Sequence, residues 1–249
     1  MISIVIPVYK NYDLLHRCLQ SIDSQVNKDD EVILIDDTPV ANQCEINTSI
    51  PNVVIYKNFK NRGVTYSRNK GYMLAKNRYL VFLDSDDELL PDALSYIRCC
   101  LSSNSCNLYT FSCVNAKGDV LNRNADDYLY SNGISSLISN YNKGERLVAV
   151  RKSLKAKPFI SSLRGHEFAG LLRFLYKLND NLPAFDSITP VRKYNRDNPH
   201  SISAGVELKK RVRLIEKGHF ISSSYLFKNK RYYYSLLFFL KGLSKKVFP

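Results

Sequence analysis

Tyr79-Leu80-Val81-Phe82-Leu83-Asp84-Ser85-Asp86-Asp87-Glu88-Leu89-Leu90-Pro91 is an apolar run that stops on a block of carboxylates. The apolar part, Tyr79 to Leu83, is too short for a helix and reads as a buried strand. The acids that follow have two readings. They can cap a helix that Pro91 opens at its first position, where the helix dipole favours negative charge. Alternatively, carboxylates massed at the end of a core strand carry a desolvation cost that a bound cation relieves. A divalent metal held by hard oxygen ligands, and itself holding substrate phosphates, fits that second reading. For Asp-X-Asp alone the helix cap is the commoner outcome, so the neighbouring chain has to decide.

On the N-terminal side, Ile2 to Val8 reads as a strand, and Leu14, Leu15, Cys18, Leu19 and Ile22 recur at helical spacing after a candidate N-cap, Asn11. Glu31 to Ile35 is a second apolar strand, closing on Asp36-Asp37, and Val53 to Tyr56 is a third. Gly63 leads into a helix over about Val64 to Lys76. Strands alternating with amphipathic helices predict an α/β fold with right-handed crossovers and a mostly parallel sheet covered on both faces. Ligands bind such sheets at the carboxyl ends of the strands. Both acidic segments, Asp36-Asp37 and Asp84-Ser85-Asp86, fall there. That coincidence favours a binding site over a helix cap.

The pattern loosens beyond residue 105. Leu108 to Val114 with a turn at Lys117-Gly118-Asp119 predicts a hairpin. Residues 122–145 are rich in Asn, Ser, Tyr and Gly, which suits a loop region. Helical spacing returns at Phe168, Leu171, Leu172 and Leu175, then Ile188 to Tyr194 reads as a strand and Val206 to Glu216 as a helix. The expected organisation is residues 1–105 as one half of a domain, 106–217 as its second half, and 218–249 as a basic amphipathic tail.

The chain has 249 residues and a formal charge of +13, unevenly spread. Residues 1–100 sum to −2, residues 101–208 to +5 and residues 209–249 to +10. In the tail, Tyr232-Tyr233-Tyr234, Leu236, Leu237, Phe238, Phe239 and Leu240 alternate with Lys228, Lys230, Arg231, Lys241, Lys245 and Lys246. Aromatic residues with snorkelling lysines suit an anionic membrane surface better than nucleic acid, and the alternative is that the apolar residues pack on the domain or on a partner. The longest apolar run, Tyr232 to Leu240, is about half of what a membrane span needs. Six cysteines form no Cys-X-X-Cys pair and are expected to be reduced thiols of a cytosolic protein.

Four stretches together resemble the inverting family 2 glycosyltransferases, whose GT-A fold binds nucleotide sugars. They are Ser3-Ile4-Val5-Ile6-Pro7-Val8-Tyr9; Val32-Ile33-Leu34-Ile35-Asp36-Asp37; Asn61-Arg62-Gly63-Val64 with Ser67-Arg68-Asn69-Lys70-Gly71; and Phe82-Leu83-Asp84-Ser85-Asp86-Asp87. The resemblance implies that Pro7, Tyr9, Asp36 and Asp37 hold the base and ribose of the donor. It places Arg68 near the phosphates, Asp84 on ribose or metal, and Asp86 on a Mn2+ or Mg2+ ion. Asp87 is left as a helix cap.

Three departures stand out. Thr38-Pro39 replaces the usual Gly-Ser, Asn77 stands where a glycine is common, and the chain has no tryptophan for a processive-synthase motif. The last implies transfer of a single sugar.

Downstream, Arg164-Gly165-His166-Glu167-Phe168 is similar to the segment that supplies the catalytic base, with Glu167 in the aspartate position. The plainer reading of Glu167 is a first-turn helix residue favoured by the dipole. Asn195-Arg196-Asp197-Asn198-Pro199-His200-Ser201-Ile202-Ser203 resembles the loop that closes over the diphosphate, with His200 or Arg196 facing the leaving group.

The expected activity is therefore non-processive, inverting hexosyl transfer from a nucleotide sugar, expected to be a UDP-sugar. The acceptor would be a polyprenyl-diphosphate-linked or surface glycan of O-antigen or capsule type, at the inner face of the cell membrane. The alternatives are an inactive glycosyltransferase-like scaffold and a haloacid-dehalogenase-like phosphatase. The phosphatase pattern wants Thr or Val where Glu88 stands, and its nucleophile follows the first strand.

Overall fold

The computed structural model describes residues 1–122, 124–178, 182–195 and 208–247. Its N-terminal part alternates as β1 (Ile2–Val8), α1 (Tyr12–Asp23), β2 (Glu31–Asp36), β3 (Val53–Lys57), α2 (Val64–Leu74) and β4 (Tyr79–Phe82). β1 pairs in parallel with β2 and β4, and β2 with β3. Every residue of β1, β2 and β4 is buried, whereas β3 at the sheet edge is largely exposed. Continuous apolar runs are what a sheet covered on both faces requires.

The second part adds β5 (Glu88–Leu89), α3 (Ala93–Ser103), β6 (Leu108–Val114), β7 (Tyr128–Tyr130), α4 (Gly133–Asn140), β8 (Arg146–Arg151), α5 (Glu167–Leu178) and β9 (Ala184–Lys193). Two helices, α6 (Leu208–Lys228) and α7 (Tyr232–Val247), end the fold. All nine strands form one sheet in the order β3-β2-β1-β4-β8-β6-β9-β5, with β7 added beside β9. Beyond β4 the sheet is mixed: β8 runs antiparallel to β4 and β6, while β6 and β9 are parallel. Two cores result. Ile2, Ile4 and Ile6 pack with α1 and α3 on one face, and Val5, Ile33 and Ile35 pack with α2 and α5 on the other.

Several expectations change. Glu88 and Leu89 pair with Lys193 and Arg192, so the chain makes a sheet contact before α3 begins at Ala93, and Pro91 lies outside that helix. The Lys117-Gly118-Asp119 turn closes through a single bridge, Val114 to Val120, because β6 is a central strand already paired with β8 and β9. Residues 122–145 hold β7 and α4 rather than loop alone. Asn77 is not among the residues with positive φ; its side-chain amide instead donates to the Ile2 carbonyl at 2.9 Å. The expected boundary at 217/218 falls inside α6.

The tail is a helical hairpin docked on the domain. Phe238 is buried and stacks on Phe168 with ring centroids 4.9 Å apart. Gly218 on α6 lies against His166: a Cβ there would be 2.5 Å from the imidazole Cγ. His166 Nε2 and His219 Nδ1 are 3.1 Å apart in the same buried seam. The opposite side of α7 faces outward, with Tyr233 69%, Leu236 57% and Leu240 51% exposed.

Burial pushes the His166 imidazole down to about 4, a backbone hydrogen bond opposing and Lys241 adding to the fall. In the unfolded chain a histidine titrates near 6.5. Between those values the folded protein binds fewer protons than the unfolded one. Stability from this group is therefore complete above about pH 6.5 and is lost as pH falls toward 4. His166→Gln is expected to flatten that part of a plot of urea midpoint against pH. Superimposable wild-type and variant slopes over this range would contradict the assignment.

Candidate active site

The sheet reverses its winding at β1, which has β2 on one side and β4 on the other. Ligands of open α/β sheets bind at such a switch. Here the reason is visible in the register. Pairing of β1 with β4 ends at Val5 and Phe82, while pairing with β2 continues to Val8 and Asp36. The Leu83 N–H reaches the Val5 carbonyl, and the Asp37 N–H reaches that of Val8. By alternation, the backbone of Pro7 points to the β4 side, where the ladder has stopped. A proline leaves no N–H unsatisfied there. The two strands diverge and open a cleft of about 420 Å³.

Pro7, Tyr9, Asp37, Arg68, Asp84, Asp86 and Glu167 all line this one cleft. Asp36 does not. It is fully buried behind the wall, where its carboxylate accepts from the Tyr12 hydroxyl at 2.9 Å and the Thr38 N–H at 3.0 Å. Asp37 accepts from the Asn58 amide and the Arg62 N–H, both at 2.8 Å, and from the Gly63 N–H at 2.6 Å. It thereby pins the turn into α2, where Gly63 has a φ of +90°. Thr38 stabilises the loop after β2, accepting from the Lys10 N–H at 2.9 Å.

Arg68 on α2 joins the two ends of the site. Its guanidinium is 2.5 Å from Asp84, just beyond β4, and 3.5 Å from Glu167 at the start of α5. Burial alone would pull the Arg68 guanidinium down, but Asp84 and Glu167 more than reverse this and raise it. Burial pushes the Asp84 carboxyl up, yet Arg68 and Arg192 together hold it below the usual carboxylate range. Asp84, Asp86 and Asp87 bring carboxylate oxygens within 4.8 Å of one another. Asp84 and Asp86 are on the cleft wall, and hard oxygen donors so crowded fit a divalent cation.

Asp87 is not a helix cap. It is buried, its carboxylate 2.8 Å from Arg192 on β9, and it also accepts from the Asn195 N–H at 2.9 Å. Burial pushes its carboxyl up to about 7; Arg192 opposes this, while Asp84 and Asp86 add to it. The contacts favour the carboxylate. The upward push therefore comes from burial and the crowding of acids, and a bound cation relieves that crowding.

His200 and Arg196 lie outside the described residues. Sequence reasoning also missed part of the cleft. Arg192, Arg146, Glu145 and Tyr194 line it, as does Arg164, which appears in the sequence only as part of the segment around Glu167. The available signal was Arg192 beside Val191 in a segment that reads as a strand, since a charge buried in a sheet needs a partner.

A family model described as "Glycosyl transferase family 2" matches residues 3–198. The chain is 37% identical over 100 residues to a poly(ribitol-phosphate) beta-glucosyltransferase of Bacillus spizizenii, a match covering 37% of this chain and 16% of that protein. It is 34% identical over 97 residues to the Escherichia coli UDP-Glc:alpha-D-GlcNAc-diphosphoundecaprenol beta-1,3-glucosyltransferase WfaP, covering 38% and 39% of the two chains. The matched stretch is thus well under two thirds of either relative's length. The fold matches a crystal structure of S. aureus TarS residues 1–349 in complex with UDP-GlcNAc. That match has a TM-score of 0.67 at 15% identity and covers 90% of this chain and 71% of the other.

Removing the Asp87 carboxylate leaves the buried Arg192 without its closest anion. Asp87→Ala is expected to lower the unfolding free energy by about 3–5 kcal/mol, read from urea denaturation. A change within ~0.5 kcal/mol, the usual range of a surface substitution, would return Asp87 to the role of a helix cap.

Proposed function

The chain belongs to glycosyl transferase family 2 and has the GT-A fold, and on that premise we propose that it transfers one sugar from a UDP-sugar to an acceptor hydroxyl, with inversion. The observation that carries this reading is the Arg68 bridge, which sets Asp84 and Glu167 on either side of one guanidinium within one cleft. A donor-side carboxylate that can hold the metal on the diphosphate and an acceptor-side base are what a single displacement needs.

Pro7, Tyr9 and Asp37 form the wall for the base and ribose, with Asp36 supporting the loop behind them. Asp84 and Asp86 would hold Mn2+ or Mg2+, which when bound supplies positive charge to the departing diphosphate. Arg68 carries charge to the same place from the protein side, and donor phosphates compete with the carboxylates for it. Glu167, released from part of that pairing, takes the proton of the acceptor hydroxyl as its oxygen attacks the anomeric carbon. Its side chain reaches the cleft from the first turn of α5, and the preceding residue, His166, packs against Gly218 and His219 of α6. His200, given positive charge, is the expected partner of the leaving group.

The acceptor we propose is a polyprenyl-diphosphate-linked glycan of surface-polysaccharide type, as in O-antigen or capsule. Two points support it. WfaP acts, by its name, on a diphosphoundecaprenol-linked sugar. In addition, the outward face of α7 carries exposed Tyr232, Tyr233, Leu236 and Leu240, and Lys228, Lys230 and Arg231 border it. Among the described residues no helix is long and apolar enough to cross a membrane. Peripheral attachment to the anionic inner face through this hairpin is the proposed mode, apolar side chains entering the interface and lysines meeting headgroups.

With donor, acceptor and Mn2+ present, Glu167→Gln is expected to lower kcat for nucleoside diphosphate release by about 10²–10⁴-fold without weakening diphosphate binding. Wild-type turnover in that variant would remove Glu167 from the base role. The double variant Leu236→Glu/Leu240→Glu should stay in the supernatant when wild-type protein sediments with phosphatidylserine-containing vesicles. Equal sedimentation of both proteins would contradict attachment through α7.

A further inference from the structure

We infer that Arg164 is a donor-binding residue whose guanidinium receives an oxyanion of the nucleotide sugar, from the diphosphate or from a carboxylate on the sugar. The inference rests on reading the cleft as a nucleotide-sugar site. Four arginines line that cleft: Arg68, Arg146, Arg164 and Arg192. Three are committed within the protein. Arg68 meets Asp84 and Glu167, and Arg192 meets Asp87. Arg146 meets the buried Asp186 at 3.1 Å and the Asn122 side chain at 2.6 Å. Arg164 alone of the four has no hydrogen bond or ion pair among the described residues, and its Nε is buried without a partner. A half-buried guanidinium is costly to leave unpaired, and its planar fork suits the two oxygens of a phosphate or carboxylate.

Position decides which substrate carries the anion. The Cδ, Nε and Cζ atoms of Arg164 lie 3.5–3.8 Å from where a Cβ on Gly63 would stand. Gly63 opens α2 and is held by Asp37, so Arg164 lies against the donor wall. Val64, the first residue of α2, lines the same cleft, which puts the positive end of that helix's dipole beside it. The charge and the helix end act together there.

The residue is also held in place. Gly165 has a φ of +73°, a left-handed turn that a side chain rarely adopts. Arg164 before that turn lines the cleft, while His166 after it is buried against Gly218 and His219. The α6 seam therefore fixes the backbone that carries Arg164, and a preorganised cation binds without ordering a free loop.

Calorimetry on the full chain with Mn2+ tests this, using UDP, GDP, dTDP, UDP-glucose and UDP-glucuronate as probes. Arg164→Gln keeps most of the stem against Gly63 without the charge, and Arg164→Lys restores the charge without the fork. If the diphosphate is the anion, Arg164→Gln weakens the nucleoside diphosphate that wild type binds by tenfold or more, and Arg164→Lys recovers part of the loss. If a sugar carboxylate is the anion, nucleotide affinity stays put and only UDP-glucuronate weakens. Unchanged affinities for every probe that wild type binds would overturn the Arg164 assignment alone. Wild-type protein that binds none of them would overturn the donor-site reading beneath it.

Discussion

The contact between Arg68 and its two carboxylates is the constraint on which the cleft depends. Asp84, Asp86, Asp87 and Glu167 bring four negative charges to the carboxyl ends of the central strands, where water is partly excluded. Arg192 meets Asp87 at 2.8 Å, and Arg68, 2.5 Å from Asp84 and 3.5 Å from Glu167, offsets a further part of that charge and ties β4 to α5. It does so without filling the space between them. Burial and the crowded carboxylates still push the Asp87 carboxyl up, so the site favours an incoming cation and whatever anion that cation carries.

The same economy of charge organises the second half of the sheet. Arg192 on β9 reaches Asp87, and Arg146 on β8 reaches Asp186 on β9, so two buried pairs fix how the mixed strands meet the parallel ones. Asp186 also accepts from Thr110 and Asn124, which brings β6 and the loop before β7 into one network. Removing one member of such a pair is costly because the other stays buried. The pairs therefore hold the cleft's far wall at a set distance from its near wall. The α6–α7 hairpin holds the third side, through Gly218, His166 and the Phe168–Phe238 stack.

Much of this was legible in the sequence, for local reasons. The strands β1, β2 and β4 announce themselves because a sheet covered on both faces needs unbroken apolar runs, and the acids that end two of them mark the carboxyl edge. Asp84, Asp86, Arg68 and Glu167 could be nominated from short motifs. Asp87 was misread because its partner, Arg192, lies far along the chain and no local pattern links them. Pro91 looked like a helix start for a similar reason: the pairing of Glu88-Leu89 with β9 is a tertiary contact. The tail's amphipathic pattern was plain, but which aromatic turns inward is set by where Phe168 waits. Polar composition likewise hid β7, which forms by pairing with β9, and α4, which packs on α5.

Thermal shift with UDP, GDP, dTDP and CMP, each with and without Mn2+, tests the central claim most directly when wild type is compared with Asp86→Ala. The account predicts that one nucleoside diphosphate raises the wild-type Tm only when the metal is present, and that Asp86→Ala abolishes this metal dependence. No shift with any nucleotide, with or without metal, would contradict it.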